Sequence, residues 1–404
     1  VSRDRQSDNV PALVLGSGLN GLGVARSLGA AGVAVYLGEA DMRQAELRTR
    51  YARPLQLSAL QGDELLRDLT TLGETRFVGQ RPVLVLTQEQ TVRTVARALD
   101  TLRPLFRFIL PSGELLTSLM HKEGFDRLAE QKGLRVPRTV HVREVADIEA
   151  AVALTFPLVI KPALHSPEYG SLFRKAYRVG AQAEARDLLE RILPVLADVV
   201  VQEWIPGNDS DIYFCLQQMS AEGKAEASFV GRKIRSWPPN VGGTASCISA
   251  EENANELVGV TERFFAQVGM CGLASMEYKR HAVTGEFVAI EPTVGRTDYQ
   301  EEVATLNGVN LSYAYYRSAI GEPFAESGAS VDVRGVIWRD RSADGQSSMH
   351  PDQSIHDWPS GHGEIRDALW RAADPGPWLF TQWQRGLRKG RHILNRLGRE
   401  RTTT

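Results

Sequence analysis

GLASMEYKRHAVTGEFVAIEPTVGR (residues 272–296) reads as two strands joined by a turn at Val283-Thr284-Gly285. With the turn centred on Thr284, residues whose numbers sum to 568 face each other, which sets Glu277 against Glu291. Side chains alternate along a strand, so Ser275, Glu277 and Lys279 share a face with Ala289, Glu291 and Thr293. Directly opposed carboxylates repel unless a cation or a proton lies between them. Hard divalent cations take oxygen ligands and bridge a few carboxylates to substrate phosphates. The hairpin alone leaves two readings: a metal–phosphate site, or an exposed sheet face with scattered charges.

Upstream, the β-branched run DVVVQEWIP (198–206) predicts a central strand, and FPLVIKP (156–162) and TVHV (139–142) predict others. Strands are also expected near 211–219 and 225–232, followed by a Pro/Gly-rich loop, SWPPNVGG (236–243), and a helix over 251–268. Helices are read at 114–132, stopped by Gly133, and at 144–154 and 181–196; residues 163–179 read as a loop returning into a strand. Further upstream the order is strand (11–16), Gly-rich turn, helix, strand (33–41), helix (62–73), strand (81–87) and a fourth strand at 107–112. That is βαβ patterning and predicts a Rossmann-like domain over residues 1–115. Residues 300–320 read as helical, and the pattern weakens after about 325.

The 404 residues carry a net charge of −2, with 43% hydrophobic and 24% charged residues. Typical domains of about 100–200 residues predict two to four lobes. The composition excludes a globally disordered chain and supplies no overall field for nucleic acid. No apolar run reaches the roughly 18 residues of a membrane span. Cys215, Cys247 and Cys271 show no metal or disulfide spacing, so a cytoplasmic setting is expected. Only eight of the 47 basic residues are lysine, at 122, 132, 161, 175, 224, 233, 279 and 389. Lysine gives a compact point charge suited to phosphate. In an arginine-rich chain each lysine therefore stands out as a candidate contact.

Together, FPLVIKP, VVVQEWIPG and the hairpin make residues 10–320 resemble the ATP-grasp superfamily, in particular its carboxylate–amine ligases. The resemblance implies an α/β and α+β architecture: a Rossmann-like domain (1–115), two ATP-grasp lobes (116–197 and 198–325) and a C-terminal extension (326–404). Lys122 matches the nucleotide-binding basic residue that opens the first lobe. Lys161 matches the strand lysine at the α and β phosphates. Lys175 closes the phosphate-covering loop. Gln202, Glu203, Trp204 and Ile205 match the hinge strand that bonds adenine through its backbone, and Asp209 the acidic ribose contact. Lys233 and Arg235 match cations at the transferred phosphate or the carboxylate, and Arg296 a further catalytic cation. Glu277 and Glu291 match the metal-binding carboxylates, with Thr293 where relatives place asparagine. Five of the eight lysines (122, 161, 175, 233, 279) lie in or beside these motifs.

The implied reaction activates a carboxylate with ATP and Mg²⁺, or Mn²⁺ in its place, and joins the acyl phosphate to an amine. The substrates are small molecules of unspecified identity, and a homo-oligomer is compatible with the reading. No GxSxG or Cys/His signature suggests a covalent nucleophile. Two other readings compete. GSGLNG (16–21) followed by Glu39 matches a dinucleotide fingerprint, which would make the chain an NAD-binding oxidoreductase. Thr293 and a covering loop with the single glycine Gly170 would suit a nucleotide-binding scaffold without turnover.

Residues 385–401 hold Arg385, Arg388, Lys389, Arg391, Arg396, Arg399 and Arg401 against one acid, Glu400. With Trp378, Phe380 and Trp383, the segment 378–404 reads either as a helix packed on the body or as one lying on the inner, anionic face of a membrane. His350, His356 and His362 share a loop-rich region and read as solvated, with a metal cluster the lesser reading.

Overall fold

The computed structural model describes residues 10–163, 167–174, 176–322 and 335–387. These fall into two compact units, one within Val1–Phe108, Arg296–Arg341 and Gly363–Thr404, the other within Ile109–Gly295 and Ser342–His362.

The first unit is built on a parallel sheet of β1 (Ala12–Leu15), β2 (Val35–Glu39), β3 (Arg53–Gln56) and β4 (Val83–Leu86), in the order β3-β2-β1-β4. β1 and β4 are the runs ALVL and VLVL and are wholly buried, as expected for parallel strands covered on both faces. The helix Gly18–Ala30 crosses from β1 to β2 and ends at a turn where Gly32 takes φ +87°. The fourth strand is not the expected 107–112, where Arg107 makes only an isolated bridge to Val83. It is β3, an edge strand of sequence RPLQ with only Leu55 buried, which carries no apolar run to reveal it.

The helical 300–320 stretch is two helices, Glu301–Leu306 and Leu311–Ala319, and Asn310 caps the second by accepting the Tyr313 N–H. The helix Gly18–Ala30 is fixed to the C-terminal segment by Arg26. Its guanidinium pairs with Glu302 and Asp374 and donates to the Ala368 and Leu369 carbonyls. Trp338 Nε1 and Arg371 also reach Glu302.

The second unit contains two antiparallel sheets. The smaller has β5 (Thr139–Val142), β6 (Leu158–Pro162), β7 (Tyr177–Val179) and β8 (Val199–Glu203) in the order β5-β8-β6-β7. The apolar VVV run thus lies inside the sheet, as its composition predicts. Helices Ile148–Val152 and Gln182–Ile192 bury Ile160, Leu189 and Val201 against it. A short helix, Pro167–Leu172, lies within the expected loop of 163–179.

The larger sheet runs β13-β12-β9-β10-β11, with β9 (Ile212–Met219), β10 (Ala225–Trp237), β11 (Gly243–Ser249), β12 (Gly272–Arg280) and β13 (Phe287–Val294). β11 was hidden in sequence by its small residues, GTASCIS, directly after the Pro/Gly-rich turn. The expected helix over 114–132 is two, Gly113–Met120 and Lys122–Gln131. His121 between them is extended (φ −98°, ψ 127°), and a Cβ on Gly124 would lie 2.3 Å from the Ser118 carbonyl oxygen. The break places Lys122 at the start of its own helix. Among the described residues, no helix is long and apolar enough to cross a membrane.

Candidate active site

The hairpin pairs Glu277 with Glu291 and Ser275 with Thr293, the register that the sequence predicts. One detail differs. Beyond Glu277 the register slips, so Tyr278 rather than Lys279 faces Ala289, and Ile290 is the extra residue of a β-bulge. The connection is longer than a minimal turn: the Gly285 N–H donates to the His281 carbonyl, the His281 N–H donates to the Glu286 carbonyl, and Gly285 takes φ +75°. The bulge has a use. Lys122 Nζ donates to the Ile290 carbonyl at 2.9 Å.

The repulsion between the paired acids is relieved by lysines. Lys233, 3% exposed, places Nζ 2.8 Å from Glu277 Oε2. Lys122 pairs with Asp126 at 2.8 Å. Burial holds its ammonium below the ordinary lysine value; Asp126 opposes that shift, Lys161 adds to it, and Glu291 opposes it. The field of each of these groups is thus felt at one ammonium, which draws Lys122, Lys161 and Glu291 into one neighbourhood. Lys279 is buried on β12 and donates to the Asn208 carbonyl. Burial brings it down to about 8, against the attraction of Asp211 and Asp209; Lys233 lowers it and Glu277 raises it. Lys279 stood beside the motifs in sequence, but only the fold shows it between the hinge turn and the acidic pair.

Two carboxylates and a hydroxyl on adjacent strands form an all-oxygen donor set suited to a hard divalent cation. Among the described residues no group of three or more His, Cys, Asp or Glu forms a metal cluster. A metal at Glu277, Glu291 and Thr293 would therefore draw its remaining ligands from phosphate and water. The three loop histidines likewise form no such cluster.

The hinge strand ends β8. Gln202 is buried and its amide donates to Thr139 Oγ1 at 2.9 Å. Glu203 Oε1 accepts the Thr155 N–H, and the Glu203 and Trp204 N–H groups bond the Arg138 and Pro157 carbonyls. The Ile205 N–H has no such partner among the described residues. Arg178 lies over the Trp204 ring at 5.1 Å. Lys161 lies on the neighbouring strand β6, opposite Val200.

Two candidates are engaged inside the protein. Asp209 is 1% exposed and accepts from Ser236 N, Asn240 N and Gln353 Nε2, so its carboxylate holds the 236–240 turn. Arg235 is 2% exposed. It pairs with Asp344 at 2.9 Å, donates to the Ile355 and His356 carbonyls, and stacks on Trp358. Sequence alternation places Lys233 and Arg235 on one face, but irregularities on both sides of Arg235 interrupt the ladder with β11. Arg296 belongs to the first unit, where Nη1 donates to the Thr297 carbonyl. Lys175 and all but Arg385 of the basic residues within 385–401 lie outside the described residues.

The glycine-rich turn of the first unit is occupied by its own chain. Glu39 is buried and accepts from Ser17 N, Ser17 Oγ and Ala40 N. A Cβ on Gly16 would lie 2.6 Å from Thr87 Oγ1, and one on Gly21 2.0 Å from the Gly16 carbonyl oxygen. These glycines permit internal packing, and the acid that a dinucleotide ribose would need is already committed.

No protein-family model and no curated protein sequence matches the chain. Solved structures do. The biotin carboxylase from Campylobacter jejuni, in a β,γ-ATP complex, is 12% identical with a TM-score of 0.61, over 80% of this chain and 73% of that one. The biotin carboxylase domain dimer of Hydrogenobacter thermophilus 2-oxoglutarate carboxylase, with MgADP, ADP and bicarbonate, is 13% identical with a TM-score of 0.60, over 78% and 70%. N5-carboxyaminoimidazole synthetase from Staphylococcus aureus is 12% identical with a TM-score of 0.57, over 78% and 77%. The fold is therefore that of the ATP-grasp ligases. The expected mixed α/β architecture holds at that level, and the oxidoreductase reading is not favoured.

Proposed function

We propose that this chain is an ATP-dependent ligase that activates a carboxylate as an acyl phosphate and passes the acyl group to an amine, releasing ADP and phosphate. The observation that carries the reading is the direct opposition of Glu277 and Glu291 on the hairpin, with Lys233 on one acid and Lys122 beside the other. Three solved relatives in fold are described with ADP, MgADP or ATP, and this supports nucleotide use at the family level.

In this reading Glu277, Glu291 and Thr293 hold Mg²⁺, which when bound neutralises charge on the phosphates. Lys122 and Lys161 bind phosphate oxygens, and Lys233 moves from Glu277 toward the transferred group as charge develops there. The Glu203–Ile205 backbone receives adenine, with the Ile205 N–H as donor. Gln202 and Trp204 hold that edge in shape through Thr139 and Arg178. Asp209 and Arg235 keep the neighbouring turn and loop in place rather than touching substrate. The second unit alone supplies these groups, and Arg296 is not needed for the proposal. A dimer is consistent with one of the fold relatives.

The test is to incubate the protein with Mg·ATP, hydroxylamine and a library of carboxylic acids. Hydroxamate formed from one acid, with stoichiometric ADP, is the expected result and names the acid. ADP release with no hydroxamate from any acid would sink acyl-phosphate formation.

A further inference from the structure

The described end of the first unit leaves an apolar stripe uncovered. Residues 376–387 are helical. Leu379, Trp383 and Leu387 recur every fourth residue, which places them on one face. They are 53%, 57% and 46% exposed. The flanks of the helix are fastened to the unit: Arg48 stacks on Phe380, whose ring also meets Trp383, Gln384 donates to the Arg43 carbonyl, and Trp378 packs on Trp370. The helix is therefore held with its outer face turned to solvent, and that face is apolar.

The charge around the stripe is mainly positive, although Arg43 is paired with the half-exposed Asp41. Arg43, Arg48, Arg50 and Arg385 are all exposed nearby in the fold or on the same helix. The sequence that continues from the helix adds Arg388, Lys389, Arg391, Arg396, Arg399 and Arg401, with Glu400 the only acid. Isolated surface leucines are ordinary. A leucine–tryptophan–leucine stripe bordered by arginines is a different composition. Tryptophan favours the level of lipid headgroups, and clustered basic residues gain from an anionic surface.

We propose that this face docks on an anionic lipid bilayer, with Leu379, Trp383 and Leu387 entering the headgroup layer and the surrounding arginines holding lipid phosphates. A second copy of the chain is a poorer occupant, because paired copies would oppose two surfaces of the same strong positive charge. The proposal is independent of the ligase reading, since none of these residues belongs to the catalytic candidates.

The test is co-sedimentation of the full chain with phosphatidylcholine vesicles that contain or lack phosphatidylglycerol, after nuclease treatment, with tryptophan emission read in parallel. The expected result is binding to the anionic vesicles only, a blue shift on binding, and release by high salt. The triple variant L379Q/W383Q/L387Q should melt at the wild-type temperature and bind about tenfold or more weakly. W383F should retain most of the binding, which separates apolar insertion from a specific tryptophan contact. Equal sedimentation with and without anionic lipid would overturn the idea. So would unchanged binding by a folded triple variant, or binding that disappears with nuclease treatment. Concentration-dependent self-association lost in the triple variant, with no vesicle binding by the wild type, would assign the face to a second copy instead.

Discussion

As sequence signals, the acidic hairpin of the second unit and the glycine-rich turn of the first are alike. Each joins a sharp turn to glutamate at a spacing that suggests a nucleotide. In the fold they differ in what already occupies their polar atoms. Glu39 accepts from Ser17 and Ala40 and is buried, so its oxygens are already engaged within the chain. Glu277 and Glu291 stand opposite each other, with Glu291 exposed and their mutual repulsion offset by two lysine side chains. A carboxylate that is fully hydrogen-bonded within the chain stabilises it, whereas a carboxylate pair offset by lysine ammonium groups can exchange them for another cation.

Glu291→Gln should break the contrast most sharply. ADP formation should fall about a thousandfold, an effect of about 4 kcal/mol on the transition state. Stability should stay within about 0.5 kcal/mol of wild type, since the residue is exposed. Retained turnover would remove the hairpin from the chemistry. Arg235→Met is its converse. It strands Asp344 in a buried site and should cost about 3–5 kcal/mol in chemical denaturation. ATP affinity measured on the folded fraction should stay unchanged; a selective loss of that affinity would return Arg235 to the nucleotide site.

Glu39→Gln replaces one of the two accepting oxygens with an NH₂, which then faces either the Ser17 donors at Oε2 or the Ala40 N–H at Oε1. We expect a loss of about 2 kcal/mol of stability, read by urea unfolding, with no change in turnover per folded molecule. NAD should not raise the melting temperature of either form; a rise in wild type alone would revive the dinucleotide reading.

Glu301 sets a pH dependence. Burial pushes its carboxyl up to about 7; Ser312 opposes the shift and Glu302 adds to it. The folded chain therefore holds this proton more tightly than the unfolded chain does. The resulting stability is complete below the ordinary value near 4.5 and is lost as pH rises through about 7. Glu301→Gln should remove that dependence. Relative to wild type it should gain up to roughly 3 kcal/mol between the acid and alkaline ends of a melting series. Parallel pH profiles for the two proteins would refute the assignment.

The hairpin was legible because its turn and two acids fix the register by simple symmetry, and the apolar runs ALVL, VLVL and VVV announce buried strands. What escaped was structure made by small or polar residues: the edge strand RPLQ, the strand GTASCIS, and the break at His121. Residue roles were less legible than elements. Alternation along β10 treats Lys233 and Arg235 as equivalents, but an irregular ladder and a loop from residues 342–362 give the arginine a different set of partners. No local pattern announces Asp344 or Ile355 as neighbours of a residue more than a hundred positions away.

The bulge at Ile290 separates two properties that usually travel together in a β-ladder. Tyr278 faces Ala289 and Glu277 faces Glu291, so excising Ile290 would join two pairs that are already in step. The acids would remain partners, while the carbonyl that receives Lys122 would be gone. One residue is therefore redundant for strand pairing and necessary for tethering the helix Lys122–Gln131. A chain shortened by that residue would keep its acidic pair and lose its grip on the lysine beside it.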